Sequence, residues 1–255
     1  MSSGISADKR LVNAPEWRVE WVPSTGSTND DVLERARAGE AAGLVIATLD
    51  QQAGHGRQGR TWVAPAGSAL AMSVLLRPSR PHSSWSLLPL ICGIAVQRAL
   101  AGYGLGDRAR LKWPNDVLVD ADERKLCGML CVAIDDAVVA GIGINTAMTQ
   151  AQLPIDTATS LHLLGIEVYE RDLCDQVLAE LSELLALFEA GDDVAILAAY
   201  RAVSATVGRM VRAHTPSGEV TGRAVDIADD GSLVLETGEG LAQISAADVI
   251  HLRDA

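Results

Sequence analysis

Apolar residues along this chain fall into two textures, long runs and stripes up to about residue 205 and short alternating segments after Val207. Trp17, Val19 and Trp21 alternate with Arg18 and Glu20, the period of a half-buried strand. Leu44 to Leu49 and Ala69 to Leu76 are apolar on both faces, as in the central strands of a sheet. Ser27 with Asp30 fits a capping box opening a helix that ends near Gly39. Leu87, Leu88, Ile91, Ile94, Ala95 and Arg98 follow a helical stripe that stops around Gly102. Arg110 to Val119 predicts two strand pieces broken at Pro114. A charged turn at 120–124 leads into a strand over Lys125 to Ile134, and Ala137 to Ile144 returns, which together predict an antiparallel meander. Leu173, Val177, Leu181, Leu184, Leu185 and Phe188 define a strong helix bounded by Gly191, with a shorter one over Val194 to Val203.

Beyond Val207 the segments Met210 to Ala213, Val220 to Ile227, Leu233 to Glu236, Leu241 to Ile244 and Val249 to Leu252 are separated by Gly-bearing turns. That pattern predicts a small all-β barrel with short hairpins. The chain therefore divides into a lead over 1–14 expected to be disordered, a main domain over 15–205 and a small domain over 206–255.

Composition narrows the function classes. Of 255 residues, 48% are hydrophobic and 21% charged, which is globular. The net charge of -12 argues against an electrostatic nucleic-acid binder. Cys92, Cys127, Cys131 and Cys174 form no CxxC pair, which fits free thiols in the cytoplasm. Met1 to Arg10 lacks an apolar core for a signal peptide, and runs such as Pro81 to Gln97 carry Ser, His and Gln, so no membrane span is expected.

Candidate chemistry concentrates in Gln51-Gln52-Ala53-Gly54-His55-Gly56-Arg57-Gln58-Gly59-Arg60-Thr61-Trp62, a polar stretch between two apolar strands. Glycines allow close backbone approach, and guanidinium forks suit carboxylates and phosphates. The stretch reads equally well as a loop closing over an anionic ligand or as a mobile surface loop. It matches neither a Walker loop nor a dinucleotide fingerprint. Lys112, Asn115 and Asp116 are left at the break around Pro114, and Gly128 inside a strand marks close approach of a ligand or another backbone.

Taken together, Gly26-Ser27-Thr28-Asn29, the glycine stretch with Trp62, Lys112-Trp113-Pro114-Asn115-Asp116, Lys125-Leu126-Cys127-Gly128 and Gly141-Ile142-Gly143-Ile144-Asn145 resemble the biotin protein ligases, across about residues 17 to 150. The resemblance implies an α/β (α+β) fold: a central mixed sheet with flanking helices, class II aminoacyl-tRNA synthetase-like, plus an SH3-like β-barrel at the C-terminus. It implies ATP and biotin as substrates with Mg2+, and a biotin carboxyl carrier domain of an acyl-CoA or pyruvate carboxylase as partner. With no room for a helix-turn-helix domain ahead of the first strand, DNA binding is not expected. The expected state is a monomer or weak homodimer.

By motif, Ser27, Thr28, Asn29, Gln51 and Gly128 would meet biotin. Gly54, Gly56, Arg57 and Arg60 would form the loop over carboxylate and phosphate. Trp62 would pack near adenine. Lys112, Asn115, Asp116 and Asn145 would serve ATP, with Asp116 toward magnesium. Lys125, with Arg57, would carry the chemistry. Taken singly, Ser27 reads as a helix cap, Lys125 as a hairpin lysine, Asp116 as a turn cap, Trp62 as core and Asn145 as a strand end. His55 departs from the family's arginine, Val132 from a common acidic residue, and Arg253 sits in a weak motif. A lipoyl or octanoyl transferase using Cys127 beside Lys125, and a non-catalytic module built on the β tail, are the rival readings.

Overall fold

A computed structural model describes residues 16–62, 64–245 and 247–252. The expected disordered lead and Arg253 lie outside the described residues. The first part of the chain forms β1 (Arg18–Trp21), α1 (Thr28–Arg37), β2 (Leu44–Thr48), β3 (Gly54–His55), β4 (Thr61–Trp62), β5 (Ala69–Leu76), α2 (Leu88–Leu100), β6 (Ala109–Lys112), β7 (Asp116–Val119), β8 (Arg124–Ile134) and β9 (Ala137–Asn145). Then follow α3 (Glu170–Glu189), α4 (Asp193–Ala202), β10 (Met210–Thr215), β11 (Gly218–Ile227), β12 (Leu233–Thr237), β13 (Gly240–Ile244) and β14 (Asp248–His251).

Seven strands make one mixed sheet in the order β1-β2-β5-β9-β8-β7-β6. β1 and β2 are parallel, joined through α1, and the other neighbours are antiparallel. The continuous apolar run of β5 has its reason here, because every residue of it is buried. Val32 of α1 packs with Leu44, Ile46, Leu75 and Val139 on one face. α2, α3 and α4 build the larger core on the other. The β6–β9 meander forms as the pattern predicts.

One irregularity in that meander matters for the site. Lys125 pairs with Leu118 and Cys127 with Val117, so Leu126 is an extra residue in β8. In a regular strand Lys125, Cys127 and Met129 share one face. The bulge breaks that parity. Cys127 and Met129 are buried, while Lys125 shares the face of Gly128, its Nζ 3.1 Å from where a Cβ on that glycine would stand.

The second sheet is antiparallel, in the order β13-β12-β11-β10-β14. The five strands expected of a small all-β barrel with short hairpins pair as one sheet, and among the described residues no ladder joins β13 to β14. The two sheets are stitched at the β6 edge. Leu111 N–H donates to Val203 O at 2.8 Å and Ala205 N–H to Leu111 O at 2.7 Å. The junction is thus a short added strand piece.

Three local expectations change. The glycine stretch is not a plain loop, because β3 and β4 pair as a small hairpin. Ser27 accepts from Asp30 N–H at 3.4 Å, but the Asp30 carboxylate meets His55 Nε2 at 2.8 Å, so only half of the capping box forms. The helical stretch His82–Leu105 is long and apolar enough to cross a membrane by length and composition, but 72% of that window is buried in the fold. Its apolar surface is spent on the core.

Phe188, the chain's one phenylalanine, is fully buried with the Arg80 guanidinium 4.5 Å from its ring centroid. Arg80 also donates to Phe188 O at 2.9 Å and to Asp193 at 2.7 Å. Phe188→Ala is expected to cost about 3–5 kcal/mol. Urea unfolding reads this as a lower midpoint at unchanged slope. A loss well under 1 kcal/mol would show that the α3–α4 corner is not held by this ring.

Candidate active site

A cleft of about 490 Å³ opens where α1, the β3–β4 hairpin, the 113–116 turn, β8, β9 and β14 converge. Its inner wall is uncharged and hydrogen-bonded. Ser73 Oγ donates to Asn29 Oδ1 at 2.6 Å, and Thr28 Oγ1 lies 2.7 Å from Ser73 Oγ. Ser73 has one hydroxyl hydrogen, already given to Asn29, so the single Thr28 hydroxyl hydrogen is divided between Ser73 Oγ and Gln51 Oε1, 3.1 Å away. Asn29 Nδ2 donates to Leu130 O at 3.2 Å, and Gln51 Oε1 accepts from Thr28 N at 2.8 Å. Thr28, Asn29 and Ser73 are all buried, and the network leaves none of them unpaired.

Two glycines of β9 make room for this wall. A Cβ at Gly141 would stand 2.8 Å from Asn29 Cγ, and one at Gly143 would stand 2.8 Å from Trp62 Cζ2. Real Cβ atoms do not approach so closely, so the side chains of Asn29 and Trp62 lie flat on β9 only because these positions lack one.

The outer half is ionic. Lys125 Nζ lies 2.6 Å from Asp116 Oδ1, although the contact lacks hydrogen-bond angles and that oxygen has no hydrogen-bond partner. The backbone of Lys125 is clamped by the 157–159 segment, donating to Thr157 O at 2.8 Å and accepting from Thr159 N at 2.9 Å. Arg57 Nη1 donates to Asn115 Oδ1 at 3.2 Å and to Ala247 O at 3.3 Å, and Asn115 Nδ2 donates to Met129 O at 2.8 Å. Arg60 pairs with Asp248. Burial holds the Lys112 ammonium below the ordinary lysine range, with Lys125 and Arg60 adding to it and Asp116 and Glu123 opposing it. Burial likewise lowers the Arg57 guanidinium.

Among the described residues, Arg57, Arg60, Lys112 and Lys125 face the cleft against the carboxylates Asp116 and Asp248. An acidic chain thus sets four of its 21 lysines and arginines around one concavity, which suits an anionic ligand.

Of the residues singled out from sequence, Ser27, Thr28, Asn29, Gln51, Gly56, Arg57, Arg60, Trp62, Lys112, Asn115, Asp116, Lys125, Gly128 and Asn145 line this cleft. Gly54 does not. It is a strand residue of the hairpin itself, paired with Trp62, where a Cβ would collide with the Gln51 amide and stand 2.8 Å from Trp62 O. Its lack of a side chain lets the hairpin close on Gln51. Asn145 commits its amide nitrogen to Thr159 O at 2.9 Å. His55 turns toward α1 at the cleft's mouth.

The sequence reading missed Ser73, although a lone hydroxyl inside the apolar run of β5 was a visible signal. It also missed Ile155, Ala158, Asp248 and Ile250, which line the mouth from a loop and from the second sheet. Nothing local in the sequence marks those. Cys127, the residue of the acyl-transferase reading, is buried in the core, and burial pushes its thiol far above the ordinary range. No reactive thiolate accompanies Lys125.

Residues 21–148 match the family model described as the Biotin/lipoate A/B protein ligase family. The chain belongs to that family. Residues 206–252 match a second model, the Biotin protein ligase C terminal domain. Among relatives of this biotin/lipoate ligase family member, the Mycobacterium tuberculosis biotin--[acetyl-CoA-carboxylase] ligase is 40% identical over 93% of this chain and 90% of its own length. The Escherichia coli bifunctional ligase/repressor BirA is 31% identical over 92% of this chain and 74% of its own length. The Aquifex aeolicus biotin protein ligase, solved in complex with biotin and ATP, superposes with a TM-score of 0.79 at 25% identity, covering 92% of this chain and 99% of that one.

The packing of Asn29 on β9 gives a stability test. Gly141→Ala is expected to cost about 1–3 kcal/mol through forced displacement of the Asn29 amide. Combined with Asn29→Ala the two costs should fall short of additive by about 0.5 kcal/mol or more in a double-mutant cycle. Strict additivity would show that Gly141 is not there to admit Asn29.

Proposed function

We propose that this chain is an ATP-dependent biotin–protein ligase that biotinylates one lysine of a carrier domain through biotinyl-5′-AMP. The single observation that carries the mechanism is the Lys125 ammonium, set beside Asp116 in a cleft that also holds Arg57 and the Asn29 wall. Family membership and the relatives support the same reading.

In this reading the uncharged wall of Ser27, Thr28, Asn29 and Gln51, with Gly128 beside it, takes the ureido ring. Gly56, Arg57 and Arg60 cover the carboxylate and phosphate. Trp62, Lys112, Asn115 and Asn145 take the nucleotide. A biotin carboxylate oxygen bonds to the α-phosphorus as the bond to pyrophosphate breaks. The ε-amine of the carrier lysine then bonds to the activated carbonyl, AMP leaves, and the amine loses a proton. Lys125 and Arg57 act in both steps by holding fixed positive charge where oxygen charge builds, which a preorganised site does without reorganising.

Magnesium needs one or two carboxylates, the rest of its shell coming from phosphates and water. Asp116, whose Oδ1 lacks a hydrogen-bond partner, fits that role, and among the described residues no cluster of three or more acidic, His or Cys ligands offers a caged site. When bound, the ion would neutralise phosphate charge.

We further assign a class II synthetase-like catalytic domain over 15–205 and an SH3-like domain over 206–255. The expected acceptor is the biotin carboxyl carrier domain of an acyl-CoA or pyruvate carboxylase. The protein is expected to be cytoplasmic, a monomer or weak dimer, and not to bind DNA.

Biotin-dependent ATP–pyrophosphate exchange tests the reading. Lys125→Ala should lose about 10²–10³-fold in rate, as removed oxyanion donors do at roughly 3–4 kcal/mol. Full exchange in that variant would remove Lys125 from the chemistry. Transfer of an octanoyl group to a carrier without ATP would restore the acyl-transferase reading.

A further inference from the structure

Outside the cleft, a partly buried polar chain links the second sheet to both lysine-bearing segments. His251 ends β14, and its side chain is only 9% exposed. Its Nδ1 lies 3.0 Å from Glu123 Oε2, and its Nε2 lies 3.0 Å from Thr206 Oγ1. The Thr206 hydroxyl also accepts from Trp113 N–H at 3.0 Å. Glu123 takes Arg209 at 2.6 Å through its other oxygen.

The Glu123 end fixes the direction of the chain. An ionised carboxylate only accepts, so the imidazole hydrogen is on Nδ1, facing Glu123 Oε2. In the neutral ring Nε2 is then an acceptor, and the Thr206 hydroxyl donates to it while accepting from Trp113. Burial favours this neutral imidazole, the charges of Lys112 and Arg209 add to that, and Glu123 opposes it. Burial also opposes ionisation of Glu123, but its hydrogen bond from His251 and the charge and hydrogen bond of Arg209 help hold the carboxyl below its usual range.

The two ends of this chain sit next to the cleft cations. Trp113 directly follows Lys112, the last residue of β6. Glu123 closes the turn before β8, two residues ahead of Lys125, in a left-handed conformation with φ 56° that a non-glycine residue keeps only when its surroundings hold it. Losing the imidazole removes one partner from each end, leaving Trp113 with an unanchored Thr206 hydroxyl and Glu123 with Arg209 alone.

We infer that His251 is a positioning residue, fixing from the second sheet the backbone on which Lys112 and Lys125 are carried. The kinetic half of the test rests on the adenylation reading, and the structural half does not. A residue that merely supported the fold would move all substrate constants together. A positioning residue at the nucleotide end should leave the Asn29–Ser73 wall, at the far end of the cleft, as it was.

The experiment uses the full chain with His251→Ala, His251→Gln, Thr206→Val and Thr206→Ser. Long-range nitrogen–proton NMR should find the wild-type imidazole neutral and protonated on Nδ1 near neutral pH. Trp113 amide exchange should quicken about fivefold to tenfold in Thr206→Val and recover in Thr206→Ser, the effect of one net hydrogen bond. In exchange assays His251→Ala should raise KM for ATP by a similar factor while KM for biotin stays within about twofold, and His251→Gln, which can donate and accept, should recover most of it. An imidazole protonated on Nε2, or an unchanged Trp113 amide in Thr206→Val, overturns the proposal, as do equal shifts in both KM values. A wild-type chain without any exchange would instead refute the adenylation reading, and the NMR and amide results would still decide the role of His251. If His251→Ala does not fold, Thr206→Val and His251→Gln carry the same comparison.

Discussion

Lys125 and Asp116 meet 2.6 Å apart at the wall of the cleft, where the Asp116 charge also opposes the burial that lowers Lys112 and Arg57. The existence of the pair depends on a change of strand parity. β8 must bury Cys127 and Met129 in the core and still show Lys125 to the ligand space, which a regular strand with period 2 cannot do. Leu126, as an extra residue opposite the Val117–Leu118 step, resolves the conflict. The bulge lets two buried residues stand in succession and turns the lysine outward without weakening the core below it. The 157–159 segment then holds the lysine's own backbone, so the displaced strand entry does not drift.

The wall behind the pair follows a different logic. β5 and β9 are central and apolar, and a hydroxyl inside β5 would cost free energy if left alone. Ser73 is tolerated because Thr28 and Asn29 from α1 reach it, and they reach it because Gly141 leaves β9 bare beneath Asn29. A serine, a helix N-terminus and a glycine from three elements thus depend on one another. The result is a rigid row of donors and acceptors in a dry place, the kind of surface on which a small polar ring can be recognised without paying for side-chain ordering.

Much of this was legible along the sequence, and the parts that were not share a cause. The runs of β2 and β5, the stripes of α2 and α3 and the change of texture near Val207 follow from local periodicity, and they form. The bulge was illegible because period 2 predicts the same face for Lys125 and Cys127. That same false adjacency kept the acyl-transferase reading alive. Gly54 was grouped with the ligand loop because glycine content does not say which side the backbone is crowded from. The half-made capping box shows the limit from the other side, since Asp30 is drawn away by His55, 25 residues further on. Ile155, Asp248 and His251 reach the site region only through tertiary closure, and no spacing along the chain announces them.

The second sheet therefore does more than terminate the chain. Ala247 O receives Arg57, Asp248 pairs with Arg60, and His251 reaches Thr206 and Glu123, so one short segment touches the arginine loop, the 113–116 turn and the entry to β8. Among the described residues the cleft holds four cations with two carboxylates, and burial already presses on Lys112 and Arg57. Such a cluster repels itself when no anion lies in it. The Ala247 carbonyl and the Asp248 carboxylate, both at the entry to β14, restrain Arg57 and Arg60 at the edge of the cleft. An anionic ligand that enters then relieves a strain the fold has been holding, so its binding stabilises the folded state as well as the complex.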